Sequence, residues 1–410
     1  MKRHGAWRYV AVLVGGLGAA DSGHAVSVFD ALGDNLSVTS ADGARSARLS
    51  LMTDISVLVP ERPPPGLQRS NDVPFIAPRV ALFFDATFGP RLTGHVQGRV
   101  DRGYDPGWDS AGDARFDEYF LEALLFDHGH VTLRAGKFAT VFGAWVDRHL
   151  AWDNPLITAP ALYEDMLAIT DRAAPADFAT FVARQNAPDN KAGWVPVIWG
   201  PSYTTGAALI AQVDRVDFAI EVKNAALSSR PEAWSAVDHG FETTPTVTGR
   251  IAWQPRADWT LGASGSRGPY LRDESRRTLP AGRDLDDFVQ TVIATDATFE
   301  RHRLQLWLEL ARSDFEVPRV GDVGVFSGFV EARYKLAPQW WLAGRWNQSW
   351  FDDTPTLQQA WDRDLRRLDV ALGYRHDAHI EAKLEYSVGD QSGGDTNGNQ
   401  LFAAQLVLWF

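Results

Sequence analysis

Beyond residue 45 the chain divides into about sixteen runs of strand length that alternate apolar and polar side chains, and every second junction between them is a tight turn. The runs cover residues 45–58, 79–88, 92–102, 116–126, 131–138, 203–213, 216–225, 246–254, 259–266, 288–299, 303–315, 325–336, 340–350, 365–375, 380–388 and 401–410. A period of two places successive side chains on opposite faces of a strand. Most runs approach the ~9–11 residues that a tilted strand needs to cross a bilayer. Tight turns such as Gly89-Pro90-Arg91, Asp214-Arg215, Glu300-Arg301-His302 and Ala337-Pro338-Gln339 alternate with longer segments at 59–78, 103–115, 140–202, 226–245, 267–287, 316–324, 351–364 and 389–400. Short connections on one rim and long ones on the other predict an all-β chain, a transmembrane antiparallel β-barrel of about sixteen strands.

Parity supports that fold without choosing which face is wet. In His379-Ile380-Glu381-Ala382-Lys383-Leu384-Glu385 the charges share one face and the apolar residues the other, and Val216, Phe218, Ile220 and Val222 oppose Asp217, Glu221 and Lys223. A water-soluble sandwich alternates in the same way with its polar face outward. The N-terminus favours export: Lys2, Arg3 and Arg8 precede an uncharged run at 9–20, and Gly23-His24-Ala25 supplies the small residues of a cleavage site. Residues 1–25 are therefore expected to be a signal peptide and residues 26–410 the barrel. No other stretch approaches the roughly 20 apolar residues of a membrane helix, so membrane residence has to come from strands. The absence of cysteine excludes disulfides and thiolate chemistry, and a formal charge of -12 gives no basic footprint for nucleic acid.

The last run points to an orientation. Phe402, Ala404, Leu406, Leu408 and Phe410 share a face, and pairing of this run with 45–58 would close the ring and remove both edges. Here the sequence resembles bacterial outer-membrane porins, whose final strand ends in phenylalanine and is read by the barrel-assembly machinery. Arg134-Ala135-Gly136-Lys137-Phe138, followed by Phe142-Gly143, is similar to the junction between strand and third loop in sixteen-stranded porins, including the phosphate-selective group. The resemblance implies residence in outer-membrane lipid, assembly through the strand ending in Phe410, and a homotrimer. The lysine- and arginine-rich ladder that accompanies phosphate selectivity has no convincing copy here, so that substrate is not implied.

Residues 140–202 interrupt the strand pattern with aromatics, prolines and charges, and 161–185 could hold short helices. An irregular segment of that length is usually functional or disordered, and its aromatic content argues for order. It is expected to be the third extracellular loop, folded into the barrel lumen as a constriction. With apolar faces outward, parity makes the inner wall nearly balanced in charge. Opposed fixed charges in a narrow passage would favour small polar solutes. The pore-lining candidates are Arg99 and Arg134 from early strands, Arg345 and Arg375 from late ones, and Asp147, Asp153, Glu164 and Asp165 from the loop. For each, the alternative is a salt bridge that only supports the wall. Trp253, Trp259, Trp340 and Trp350 fall at strand ends, where aromatic girdles meet the lipid interface.

No catalytic pattern stands out. The sequence holds no phosphate-binding loop, nucleophile elbow or dinucleotide fingerprint, and neither a cofactor nor a metal is expected. His149 and Asp153 have helical i,i+4 spacing but no third metal ligand at a recognisable offset, so His149 is read as a hydrogen-bonded loop histidine. The resulting expectation is a passive diffusion channel for small hydrophilic solutes or ions. Two alternatives stay open: a barrel enzyme with an active site on its rim, which would depend on His149 or a neighbouring acid, and a sheath that seats a periplasmic cytochrome in an electron conduit.

Overall fold

The computed structural model describes residues 36–61, 74–102, 112–126, 129–186, 193–231, 244–354, 359–392 and 399–410. The expected signal peptide at 1–25 and the Asp127-His128 turn lie outside them. Sixteen antiparallel strands form a closed ring: β1 (Arg45–Pro60), β2 (Phe75–Phe88), β3 (Leu92–Asp101), β4 (Asp113–Phe126), β5 (Gly129–Phe138), β6 (Thr204–Val213), β7 (Val216–Lys223), β8 (Thr246–Arg256), β9 (Trp259–Pro269), β10 (Val289–Arg301), β11 (Leu304–Val317), β12 (Gly321–Lys335), β13 (Trp340–Phe351), β14 (Leu365–Arg375), β15 (Ile380–Gln391) and β16 (Asn399–Trp409). Each pairs with its sequence neighbours, and β16 closes on β1 from Leu401↔Pro60 to Trp409↔Met52. A three-residue strand, Ser37–Thr39, is added to the start of β1.

The exposed and buried faces are those of a membrane barrel. Along β14, Leu368, Val370 and Leu372 are 39 %, 40 % and 38 % exposed while Asp369 and Ala371 between them are 0 % and 1 % exposed. The same inversion runs round the ring: Leu82, Ile220, Ile251 and Leu342 face outward, and Asp54, Glu309, Glu331 and Lys383 are buried inside. An apolar band on this scale exceeds what a soluble monomer leaves uncovered. Trp253, Trp259 and Trp340 are exposed beside the short turns, and Trp350 is exposed near the opposite rim. Cross-strand ring pairs accompany them, Trp259 with Phe299 at 4.8 Å, Trp340 with Tyr374 at 4.6 Å and Phe326 with Trp350 at 5.7 Å.

Two local features depart from the expected pattern. Instead of a long loop at 316–324, β11 and β12 continue to Val317↔Gly321, and residues 318–320 make the turn with Arg319 at φ +62°. The strands extend because Phe315, Val317, Val323 and Val325 continue an inward apolar row that packs into the interior cluster. In β4, Glu118 pairs with Gln97 and Phe116 with Gly98, which leaves Asp117 as the extra residue of a β-bulge. The bulge resets parity, so the consecutive carboxylates Asp117 and Glu118 both turn inward.

The described residues of 140–202 pack against the inner wall. Thr140 donates to Glu221 of β7 (2.5 Å), Gly143 N–H to Ser264 of β9 (3.1 Å), Ala161 N–H to Asn347 of β13 (2.9 Å) and Thr158 N–H to Glu385 of β15 (3.2 Å). Strands so far apart round the ring can be reached together only from within it. The segment holds the expected short helices, α1 (Ala161–Glu164) and α2 (Phe178–Ala183), the second capped by Asp177 accepting from Thr180 N–H at 2.7 Å. Phe142, Leu162, Phe181, Ile198 and Trp199 join Phe315, Val325, Phe329 and Trp361 in one apolar cluster, so one side of the lumen has a core of its own.

Candidate functional site

An irregular segment inside a barrel has backbone groups that the strand ladders do not satisfy, and these need partners from the wall. Arg345 of β13 supplies most of them at one place. Its buried guanidinium pairs with Glu331 (3.2 Å) and Asp369 (2.9 Å) and donates to Thr158 O (3.0 Å), Thr158 Oγ1 (2.8 Å) and Ala159 O (2.9 Å). Arg367 holds Glu164 at 2.7 Å, and Lys383 donates to Asn154 O at 2.6 Å. Arg148, inside the segment, meets Glu331 at 2.5 Å and lies over the Trp307 ring at 4.3 Å. Burial raises the pKa of Glu164, with Arg367 and then Arg345 opposing. These strands therefore form the docking side of the lumen.

Round the closure of the ring, the segment packs on the first strands but leaves a gap. Between β1–β4 and residues 145–164 and 199–203 lies a cavity of about 150 Å³, whose lining includes Arg79, Arg99, Arg102 and Arg115. Arg115 makes a two-pronged contact with Asp101 (2.7 and 3.0 Å) and meets Asp117 at 2.9 Å, while Arg99 sits 2.6 Å from the other Asp117 oxygen. The bulge at Asp117 is what allows this carboxylate to serve both arginines. On the segment side, His149 Nδ1 donates to Val146 O (2.5 Å), and Nε2 accepts from the Tyr203 hydroxyl (2.5 Å). The Nδ1–H tautomer follows because a carbonyl can only accept. Burial pushes the His149 pKa down to about 4 against the opposing Val146 carbonyl, and the positive charge of Arg99 adds to the effect. His149 is thus a neutral strut between the segment and Tyr203.

No family model matches the chain, and no curated protein matches its sequence. Comparison of structures is informative. The outer membrane channel DcaP of Acinetobacter baumannii superposes with a TM-score of 0.55 at 10% identity, covering 91% of this chain and 99% of that one. An anion-selective porin from Comamonas acidovorans gives 0.55 at 10% identity over 89% and 100%, and Salmonella typhi OmpF, in a complex with daunomycin, gives 0.55 at 12% over 91% and 100%. The chain has the sixteen-stranded porin fold. At these identities the likeness carries the architecture alone, and the lumen of this barrel has to be read from its own residues.

The barrel distributes the eight predicted pore residues among four settings. Arg99 and Glu164 line the arginine-rich cavity. Arg134 pairs with Glu122 (2.7 Å) and stacks on Phe120 (4.6 Å), while Arg375 meets Glu381 (2.5 Å) and lies over Trp152 (4.3 Å). Asp147 and Asp153 reach lumen water, yet the enclosing protein removes enough solvation to raise both pKa values. Arg250 and Arg134 oppose the shift at Asp147, and Arg375 and Lys383 oppose it at Asp153. Arg345 faces inward but is 1 % exposed beneath the segment, and Asp165 is buried next to Glu164. Sequence reasoning missed Arg79, Arg102, Arg115 and Asp117. Arg79 and Arg102 sat at the ends of predicted strands, Arg115 fell in the predicted loop 103–115 because the strand begins earlier, at Asp113, and the bulge concealed Asp117. His149 occupies the hydrogen-bonded role expected for it.

Proposed function

We propose that this chain is an outer-membrane porin, a passive diffusion channel for small hydrophilic solutes or ions, in which residues 140–202 are the third extracellular loop and narrow the lumen. The observation that carries the reading is the inverted burial of a closed ring, with apolar residues and tryptophan outward and paired charges inward. Export through the peptide at 1–25, insertion through the strand ending in Phe410 and a homotrimeric assembly complete the proposal. A trimer form is recorded for OmpT of Vibrio cholerae, which shares the fold at a TM-score of 0.53. Arg99, Arg134, Arg375, Asp147 and Asp153 would border the aqueous path, whereas Arg345, Glu164 and Asp165 would hold the constriction in place.

Two features speak against the alternatives. Both ring nitrogens of His149 are occupied by Val146 and Tyr203, which removes one of the two bases on which a rim enzyme would turn, a neighbouring acid being the other. The packed segment also leaves little bore in which a cytochrome could sit. The test is planar-bilayer recording of the refolded mature protein. Discrete conductance steps are expected, and their reversal potential in a salt gradient reports ion preference. A protein that inserts into the bilayer and gives no steps at any voltage refutes the channel.

A further inference from the structure

We propose that the arginine-lined cavity binds a small organic carboxylate with an apolar body the size of a single ring. The proposal rests on the channel reading and names a solute class for that lumen. Three donors on the lining lack adequate acceptors. Among the described residues the Arg79 guanidinium makes no hydrogen bond, and its Nε lies 3.8 Å from Asp54 and 3.9 Å from Asp101. Arg102, only partly buried, donates to Ile76 O at 3.3 Å, lies 5.9 Å from the centre of the Phe75 ring and keeps its other donors free toward the cavity. The Trp145 indole N–H is buried, with the residue 3 % exposed, and has no acceptor. Unmet buried donors are costly unless something fills the site.

Charge selects the ligand's head. Among the described residues the lining carries Arg79, Arg99, Arg102 and Arg115; Asp117 and Asp101 hold Arg99 and Arg115, Arg367 engages Glu164, and Asp54 stands 3.8 Å from Arg79, so Arg79 and Arg102 are the cations left with donors to offer. Neutral His149 adds no charge. An incoming carboxylate accepts from Arg79 and Arg102 with charge-assisted hydrogen bonds, and a planar guanidinium matches its two oxygens. The remaining surface selects the body: Phe75, Ile157, Pro201 and Tyr203 give the cavity an apolar side, the usual balance of a small-molecule site. A cavity of about 150 Å³ accommodates a benzene ring. Inorganic anions would use the arginines and leave this apolar surface wet.

Benzoate is the probe, with acetate and benzamide as controls that keep either the charge or the ring. In single-channel recordings in potassium chloride, added benzoate should interrupt the current in a saturable manner, while acetate and benzamide at the same concentration should not. Arg79→Gln and Arg102→Gln should each weaken the block by about tenfold or more, the scale of a lost charge-assisted hydrogen bond. Heat-modifiable migration of the detergent-solubilised barrel on gels certifies the fold of each variant, and Arg79→Lys replaces Arg79→Gln if the latter does not refold. Equal effects of benzoate and benzamide, or a benzoate block unchanged in the variants, overturn the site while leaving the porin intact. If the protein conducts nothing, the channel reading fails, and calorimetric titration of the detergent-solubilised protein with benzoate decides the site independently.

Discussion

Replacing Arg345 with methionine separates an anchor from a selectivity filter. The side chain is wholly buried, pairs with two carboxylates and donates to three oxygens of the interior segment. Removing one partner of a buried ionic network costs ~3–5 kcal/mol, because the charges left behind are uncompensated. Part of that cost is absorbed here. Glu331 keeps Arg148 at 2.5 Å, and Asp369 keeps Arg367 at 3.1 Å and Asn347 at 2.8 Å. The lower end, about 3 kcal/mol, corresponds to roughly a hundredfold shift in the docking equilibrium of the segment. The ring of strand pairs does not depend on these contacts, so the loss falls on docking and leaves the barrel closed.

The expected phenotype of Arg345→Met is therefore a folded barrel with faster proteolytic cleavage within residues 140–202 and larger, noisier conductance steps. A filter residue behaves differently. If Arg345 acted on passing ions, its removal would move the reversal potential and leave cleavage unchanged. That outcome, or a variant that matches the unmodified protein in both assays, refutes the anchoring argument.

Three further substitutions test other parts of the structure. Val370→Arg places a charge on the outward face of β14, and folding into lipid vesicles should lose ~2–4 kcal/mol in a urea titration if the position is near the bilayer midplane; a change within about 0.5 kcal/mol, typical of a wet surface, contradicts a lipid-facing band. Gly143→Ala should undock the segment, because φ is +71° and the added methyl meets Glu309 and Tyr163; left-handed strain alone contributes ~1–2 kcal/mol, read as faster cleavage. Acidification gives the third. The His149 pKa falls from 6.5 free to about 4 when docked, so the undocked segment binds more protons between those values and docking weakens as pH falls, by about 3 kcal/mol in full. Glu164, raised by burial, acts in the opposite sense, so the His149 contribution is read as the difference from His149→Gln. Identical pH profiles of cleavage for the two proteins contradict the assignment.

How far such a site can be read from sequence depends on whether its geometry is local. The alternation that places Asp369 inward and Val370 outward is a property of adjacent residues, so the strands, their closure and the exposed Trp253, Trp259, Trp340 and Trp350 are legible from the chain alone. Parity fails where one residue is inserted: the bulge at Asp117 turns Arg115 and Asp117 toward the lumen, and no distinctive turn residue marks it. Parity also says that Arg345 points inward without saying what covers it. Whether an inward arginine meets water or Thr158 depends on the path of a segment almost two hundred residues earlier in the chain. Glu164 and Asp165 have the same ambiguity from the other partner's side, since a loop carboxylate reads alike whether it borders a pore or is clasped by Arg367. The anchoring contacts and the arginine-lined cavity therefore arise only when the segment docks, and the unmet donors Arg79 Nε and Trp145 Nε1 are consequences of that docking.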